Sequence, residues 1–157
     1  RGNVDTRIQK LENHEYDAII LAYAGIKILG LEKKISQFFS FSEMLPSVGQ
    51  GIIALQTRIN DEKIKSILKK VNDENTSRAA IAERSMLKTI EGDCDTAVGG
   101  LAIIEKDLIT LNCELFSLDG KKRFLTKTKG HISEANKIGI EAGKDLLKQA
   151  GDNYKKR

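Results

Sequence analysis

Residues 108–117 alternate between apolar and polar side chains with a period of two. Ile109, Leu111, Cys113 and Leu115 are separated from one another by single polar residues. Because successive side chains of a strand point to opposite faces, this pattern predicts a strand with one face in a core. Cys113 falls on the apolar face, so we expect it to be a core residue.

Turn-forming residues on both sides of this strand predict two hairpins. A charged turn at 105–107 separates it from the apolar run 98–104, which predicts a strand on that side. Asp119-Gly120 is a hairpin signal and leads into a third strand-like segment, 123–128. Two consecutive hairpins predict a three-stranded antiparallel sheet.

Helical patterns lie before and after the three predicted strands. Residues 76–90 place alanines and larger apolar residues along one stripe, and Ser133 is expected to cap a last helix with a similar stripe. Helices on one face of an antiparallel sheet are typical of α+β domains. We therefore expect residues 73–157 to form a complete small α+β domain with its sheet covered by helices.

The N-terminal part of the chain shows a different organisation. An apolar run at 16–22 lies between two helical patterns. This arrangement is typical of a strand that is buried on both faces of a parallel sheet. Residues 1–50 therefore predict a helix–strand–helix fragment of an α/β domain, with too few strands for a sheet. A strand-like run at 52–57, followed by a helix capped by Asn60, predicts a crossover between domains over 51–72.

The composition excludes several classes of protein. A hydrophobic content of 40% and a charged content of 31% are typical of globular domains. The net charge of +4 is mild and no basic–aromatic platform is present, so we expect neither a nucleic-acid nor a membrane partner. Scattered cysteines and histidines predict no metal site and favour a cytoplasmic location. Because Arg1 opens directly into structured-looking sequence, we expect a piece of a longer protein.

Residues 91–100 place a cysteine in a predicted turn. Cys94 lies between Asp93 and Asp95, and a Gly-Gly pair follows. Glycine and aspartate favour an exposed turn, whereas unpaired cysteines usually lie in the interior. The flanking carboxylates disfavour a thiolate, which makes Cys94 a poor nucleophile and leaves its role open at this point.

Two further positions are candidates for ligand binding. Arg1 and Arg7 bracket a helix N-terminus capped by Asn3, and such termini attract anions. Two solvated surface arginines are an equally good interpretation. Ala22 ends the run 16–22, and the small residues there leave room for a ligand or for a close-packed turn.

Four motifs, in unbroken order along the whole chain, resemble the porphobilinogen deaminase (hydroxymethylbilane synthase) family. They are RGNVDTR at 1–7, YDAIILA at 16–22, LPSVGQG at 45–51, and AER followed by EGDC at 82–94. The resemblance covers only the C-terminal part of the family and implies that the first domain and most of the second are absent. It also implies that 1–50 belong to a periplasmic-binding-protein-like second domain, that 51–72 return towards the first domain, and that 73–157 are the third, cofactor-carrying domain.

The resemblance implies a transferase of porphyrin and haem biosynthesis, which condenses four porphobilinogen molecules into the tetrapyrrole hydroxymethylbilane. A dipyrromethane cofactor would be attached through Cys94, and Arg1, Arg7, Ala22 and Gln50 would line the cofactor and substrate cleft. The implied partners are porphobilinogen and polypyrrole intermediates. The full-length protein is expected to be a cytoplasmic monomer.

The sequence departs from the family pattern at Asp93, where a glycine is usual, and at Ile28, where bacterial members often carry a carboxylate-binding arginine. Arg78 and Arg84 match family positions without an assigned contact. No acidic residue matches the family's catalytic aspartate, so we expect the chain alone to be inactive. Two alternatives remain: a stand-alone carboxylate- or phosphate-binding module, and a fragment that self-associates through apolar surface in residues 1–60.

Overall fold

A computed structural model of the chain describes residues 2–93 and 95–155. The chain forms two compact units, Arg1–Phe39 and Ser40–Arg157. The helices are, in chain order, α1 Val4–Glu12, α2 Tyr23–Ile28, α3 Glu62–Leu68, α4 Glu74–Thr89 and α5 Ala135–Ala150, with short 3-10 turns at Glu32–Lys34 and Ile132–Glu134. The strands are β1 Val98–Glu105, β2 Leu108–Phe116 and β3 Arg123–His131.

The second unit contains the predicted three-stranded antiparallel sheet, in the order β1-β2-β3. Gly100 pairs with Cys113, which in turn pairs with Thr126. The alternating residues of β2 point one apolar face at α4 and α5, where Leu111, Leu115 and Cys113 are almost completely buried. The predictions of a small helix-covered antiparallel sheet and of a core position for Cys113 are confirmed.

Helices α4 and α5 approach each other closely because α5 carries glycine at two contact positions. A Cβ atom built on Gly139 would lie 2.2 Å from the carbonyl oxygen of Ala82, and one on Gly143 would lie 2.6 Å from Cβ of Thr89. Neither position has room for a side chain. The two glycines therefore allow the helix pair to pack against the sheet with its backbones nearly in contact.

Helix starts are set by aspartate caps rather than by the neighbouring residues. The side chain of Asp61, not Asn60, accepts from the backbone N–H of Ile64 at 3.1 Å at the start of α3. The side chain of Asp73 accepts from Thr76 at 2.7 Å at the start of α4. The prediction that Ser133 caps the last helix is also wrong: Ser133 lies inside the turn Ile132–Glu134, and α5 begins only at Ala135.

The strands predicted at 16–22 and 52–57 are not formed. Both segments are without helix or strand, and Ile20 and Ile53 are 55% and 89% exposed. A strand needs a neighbour to pair its backbone groups, and the described residues contain no sheet other than β1-β2-β3. The first unit is instead built from α1, α2 and the turn Glu32–Lys34, with an ion pair between Lys34 and Glu12. Within the described residues, no helix is long and apolar enough to cross a membrane.

Candidate functional site

The residues predicted to form the site fall into three groups. Arg1 and Cys94 lie outside the described residues. Arg7 and Ala22 belong to the first unit, whereas Gln50 belongs to the second.

Arg7 and the segment that ends at Ala22 are close together in the first unit. Arg7 lies in the first turns of α1 and is half-buried, and its Nη2 donates to the carbonyl oxygen of Ile20 at 3.2 Å. Ala22 follows two residues later and is the N-cap of α2. A guanidinium group carries five N–H donors, so this contact leaves Arg7 with donors for a carboxylate.

Gln50 lies in a tight turn between two glycines of positive φ, Gly49 at 75° and Gly51 at 83°. Its backbone N–H donates to the carbonyl oxygen of Ser47 at 2.9 Å. The turn is tied to the second unit by Glu83, which is only 4% exposed. The Glu83 carboxylate accepts from Gly49 N–H at 2.8 Å and from Ala102 N–H in β1 at 2.9 Å, so it bridges the turn and the sheet.

A second buried carboxylate, Glu114 of β2, holds the start of the same loop. It accepts from Leu45 N–H at 3.0 Å and from Nε and Nη2 of Arg123 at 2.9 and 2.6 Å. Gly100 N–H donates to the carbonyl oxygen of Pro46 at 2.9 Å. Residues 45–49 are therefore a fixed part of the second unit rather than a loose linker.

The Gly99-Gly100 pair makes room for this loop. A Cβ atom on Gly99 would lie 2.8 Å from Oε1 of Glu114 and 2.9 Å from Cβ of Leu45, and one on Gly100 would lie 3.2 Å from Val48. Both glycines lie in β1, within the strand predicted at 98–104. Their small size is required because the loop covers this end of the sheet.

Sequence reasoning missed Glu83 and Glu114. Glu83 is buried in α4 together with Ala82 and Met86, so its position beside the apolar stripe was a usable signal. Glu114 falls on the polar face of β2, and the alternation there gave no reason to expect burial. Only the loop that covers it, distant in sequence, explains its 3% exposure.

Asp93 and Thr96 close a turn within the loop that carries Cys94. The Thr96 hydroxyl accepts from Asp93 N–H at 3.1 Å and donates to Oδ1 of Asp93 at 2.9 Å. The same Oδ1 accepts from Asp95 N–H at 3.0 Å. These hydrogen bonds, the one from the Thr96 side chain foremost, lower the pKa of the Asp93 carboxyl below its ordinary value.

Cys113 is unsuited to chemistry at a surface. Burial, with a further contribution from the negative charge of Glu83, raises the pKa of its thiol to about 12. Its side chain is 1% exposed in the core. A thiol in this environment stays protonated and inaccessible at neutral pH.

The remaining positions show no binding contacts within the described part of the chain. Arg78 is half-buried and Arg84 exposed, and neither side chain makes an ion pair or hydrogen bond with a described residue. Ile28 is 84% exposed. Residues 2–93 and 95–155 contain no cluster of His, Cys, Asp and Glu that would hold a metal ion.

The second unit thus contains a helix-covered antiparallel sheet with the loop 45–49 held against it, and the first unit carries Arg7. A family model described as porphobilinogen deaminase, dipyromethane cofactor binding domain, matches residues 1–66, and one described as porphobilinogen deaminase, C-terminal domain, matches residues 77–148. The chain belongs to the porphobilinogen deaminase family, whose cofactor is dipyrromethane.

Curated relatives agree with this assignment. A porphobilinogen deaminase of Carboxydothermus hydrogenoformans is 42% identical over 147 residues, which are 94% of this chain and 47% of that protein. One of Coxiella burnetii is 38% identical over 153 residues, 98% of this chain and 50% of that protein. One of Syntrophobacter fumaroxidans is 37% identical over 147 residues, 94% and 48% of the two chains. The chain spans about half the length of the curated relatives it matches.

Proposed function

We propose that this chain is the C-terminal part of a hydroxymethylbilane synthase, a cytoplasmic transferase of porphyrin and haem biosynthesis. The complete enzyme condenses four porphobilinogen molecules into hydroxymethylbilane and releases one ammonia for each pyrrole unit added. In this proposal Cys94 carries the dipyrromethane cofactor through a thioether. When bound, that group supplies the covalent anchor for the growing polypyrrole.

The burial of Cys113 is the observation that carries the assignment of Cys94. The chain has two cysteines, and the thiol of Cys113 is enclosed in the core with a pKa of about 12. Cys94 is the cysteine that remains in the sequence, next to Asp93, whose carboxylate accepts a hydrogen bond from the Thr96 hydroxyl. Anchoring requires access to the thiol once, for attachment, and no persistent thiolate.

The described donors fit an anionic pyrrole chain. Each pyrrole unit carries two carboxylates, so a growing chain accumulates negative charge, and arginine binds carboxylates through paired N–H groups at any physiological pH. Arg7 is half-buried and oriented by its contact with Ile20 while other donors of its guanidinium remain. We assign Arg7, together with Arg1, Ala22 and Gln50, to cofactor and substrate binding.

We also propose the domain organisation that goes with this function. Residues 1–50 would complete a periplasmic-binding-protein-like domain, 51–72 would cross to a further domain, and 73–157 would be the cofactor-carrying domain. The exposed apolar segments around Ile20 and Ile53 support this proposal, since apolar runs of this kind form strands when a neighbouring strand pairs with them.

The chain by itself is proposed to be inactive as a synthase: it would take up the cofactor at Cys94 but would not extend it to hydroxymethylbilane. None of its acidic residues matches the aspartate that supports the pyrrole nitrogens during condensation. The two buried carboxylates, Glu83 and Glu114, already accept hydrogen bonds from the loop 45–49. Neither is therefore placed to act on a substrate.

The attachment is tested by incubating the purified chain with porphobilinogen and measuring its intact mass and its colour with Ehrlich's reagent. We expect a dipyrromethane-sized adduct on the wild type and on Cys113→Ala, none on Cys94→Ser, and no sustained release of ammonia. An adduct that persists on Cys94→Ser contradicts the assignment. A chain that takes up no pyrrole does not hold the cofactor unaided, which overturns attachment for this chain.

A second role, self-association, is favoured by the many exposed apolar side chains between residues 16 and 71, among them Phe38, Ile53 and Ile59. A stand-alone carboxylate- or phosphate-binding module is the third alternative. Binding of simple dicarboxylates without any binding of pyrroles would favour that module over the synthase.

A further inference from the structure

The segment that follows α5, residues 151–155, returns to the end of α4, and we call it the C-terminal strap. Tyr154 is only 4% exposed, and its hydroxyl donates to the carbonyl oxygen of Ile90 at 2.9 Å. Lys155 forms an ion pair with Glu91, with 2.6 Å between Nζ and Oε2. The Lys155 ammonium also lies 5.7 Å from the centre of the Tyr154 ring, which links the two contacts.

The strap acts on the two residues at which the chain leaves α4. Ile90 is the C-cap of that helix, and the last carbonyl groups of a helix lack partners within it. Tyr154 supplies a donor to one of them. Glu91 follows with a φ of 50°, a left-handed conformation that residues other than glycine rarely adopt. The ion pair with Lys155 holds the side chain of this residue.

The strap is itself anchored, and so is the other end of the loop. Leu118 N–H, beyond the end of β2, donates to the carbonyl oxygen of Asn153 at 2.9 Å. At the far end of the loop, Phe116 N–H donates to the carbonyl oxygen of Ala97 at 3.0 Å. Residues 91–97 thus connect two fixed points. The first is held by the strap and by the backbone N–H groups of Glu91 and Gly92, which donate to the carbonyl oxygens of Lys88 and Leu87 at 3.1 and 3.0 Å.

We propose that the C-terminal strap is a positioning element for the loop 91–97, in which Tyr154 and Lys155 fix the first residues of the loop and so limit its opening. The effect of the strap on cofactor attachment at Cys94 rests on the proposed function, whereas the effect of the strap on the loop does not. A thiol that anchors a growing chain gains from a fixed position, since each addition then occurs in the same geometry.

Hydrogen exchange of the backbone amides tests the proposal without any pyrrole. Tyr154→Phe removes only the hydroxyl, Lys155→Met removes only the charge, and Lys148→Met is the control on the exposed side of α5. We expect exchange in residues 91–96 to accelerate about 2- to 10-fold in the first two variants, the factor for one hydrogen bond. In these two variants, amide exchange in β2 should match the wild type. In Lys148→Met, exchange at 91–96 should also match the wild type. Unchanged exchange in 91–96, or an equal acceleration in β2, overturns the proposal.

Two further measurements separate positioning from general stability. Lys155→Arg keeps the ion pair and should restore wild-type exchange at 91–96. Alkylation of Cys94 by iodoacetamide should accelerate in Tyr154→Phe by the same factor as the loop amides, because both report opening of the loop. Alkylation of Cys94 at the wild-type rate in both Tyr154→Phe and Lys155→Met contradicts the inference. If Cys94 takes no adduct but amide exchange at 91–96 accelerates in the variants, the proposed function fails and the role of the strap stands. If Cys94 takes the adduct and neither its formation nor amide exchange changes in the variants, the role of the strap fails and the proposed function stands.

Discussion

The turn at 93–96 is held together by the side chain of Asp93. Its carboxylate accepts hydrogen bonds from the backbone N–H of Asp95 and from the hydroxyl of Thr96. An aspartate side chain that accepts from the backbone two residues further on favours a specific turn conformation. Asp93 therefore has a structural role that the sequence alone did not explain.

Replacing Thr96 with valine tests this role. Loss of the hydroxyl removes the largest cause of the lowered pKa of Asp93, so that pKa should rise towards its ordinary value. Because the folded-state pKa is lowered, this carboxylate stabilises the fold above its unfolded pKa, and the contribution disappears as pH falls through the folded value. NMR titration of carboxyl carbons measures the change. The pKa of Asp73, lowered chiefly by the backbone N–H of Thr76, should not move in this variant and serves as the control.

The Glu114–Arg123 pair makes a second prediction at the scale of single residues. Replacing Arg123 with methionine leaves the Glu114 carboxylate 3% exposed with only Leu45 N–H as a donor. A buried charge that loses its partner destabilises a protein by about 3–5 kcal/mol, and we expect about 2 kcal/mol because Arg123 is partly exposed. Urea denaturation measures the free energy of unfolding. Lys121→Met, at an exposed pair, should change it by less than about 0.5 kcal/mol, and an equal effect of both variants would contradict the buried pair.

The packing of α4 against α5 is the element-scale feature that depends most on residue size. Gly139→Ala would place Cβ 2.2 Å from the Ala82 carbonyl oxygen, although alanine is the better helix former by about 1 kcal/mol. Overpacking of this kind costs about 1–3 kcal/mol, so we expect a net loss despite the propensity gain. Thermal and urea unfolding measure it. Lys144→Ala on the exposed side of α5 should be neutral, and a Gly139→Ala variant as stable as the wild type would show that the helices can separate without cost.

Sequence patterns predicted elements whose partners are nearby in the chain. The alternation in β2 and the hairpin signals beside it identified the sheet, because each strand pairs with its sequence neighbour. The same reasoning predicted strands at 16–22 and 52–57, and these segments have no pairing partner among the described residues. An apolar run favours burial, but it forms a β-strand only when a neighbouring strand pairs with its backbone N–H and C=O groups.

The candidate site was predicted in part, for a related reason. Arg7 and Gln50 were singled out from the sequence motifs, and their binding roles stay predictions. The carboxylates that fix the loop beside Gln50 were not singled out, because Glu83 and Glu114 contact residues 34 and 69 positions away in the chain. Contacts at such separations depend on how the loop crosses the sheet, which no local pattern records. The strap contact between Tyr154 and Ile90, 64 positions apart, belongs to the same class.

At the scale of the whole molecule, apolar exposure is unevenly distributed along the chain. Large apolar side chains that are more than half exposed are concentrated between residues 20 and 71, including Ile28, Phe38, Ile53, Ile59 and Val71. The core described above is formed chiefly by residues 82–154. The sequence therefore commits its C-terminal portion to a self-sufficient core and leaves apolar surface in the preceding portion.

We expect this surface to make the isolated chain self-associate. Ile53 and Ile59 are 89% and 82% exposed, so Ile53→Ser with Ile59→Ser removes apolar surface without disturbing packing. Burying one isoleucine contributes about 1.5–3 kcal/mol, so the double variant should weaken association by at least about tenfold. Sedimentation velocity over a wide range of concentration measures the association constant, and Gln56→Ser is the control for a polar change in the same exposed segment. A wild-type chain that sediments as a monomer at every concentration contradicts the expectation, whereas equal weakening by Gln56→Ser would place the contact outside these isoleucines.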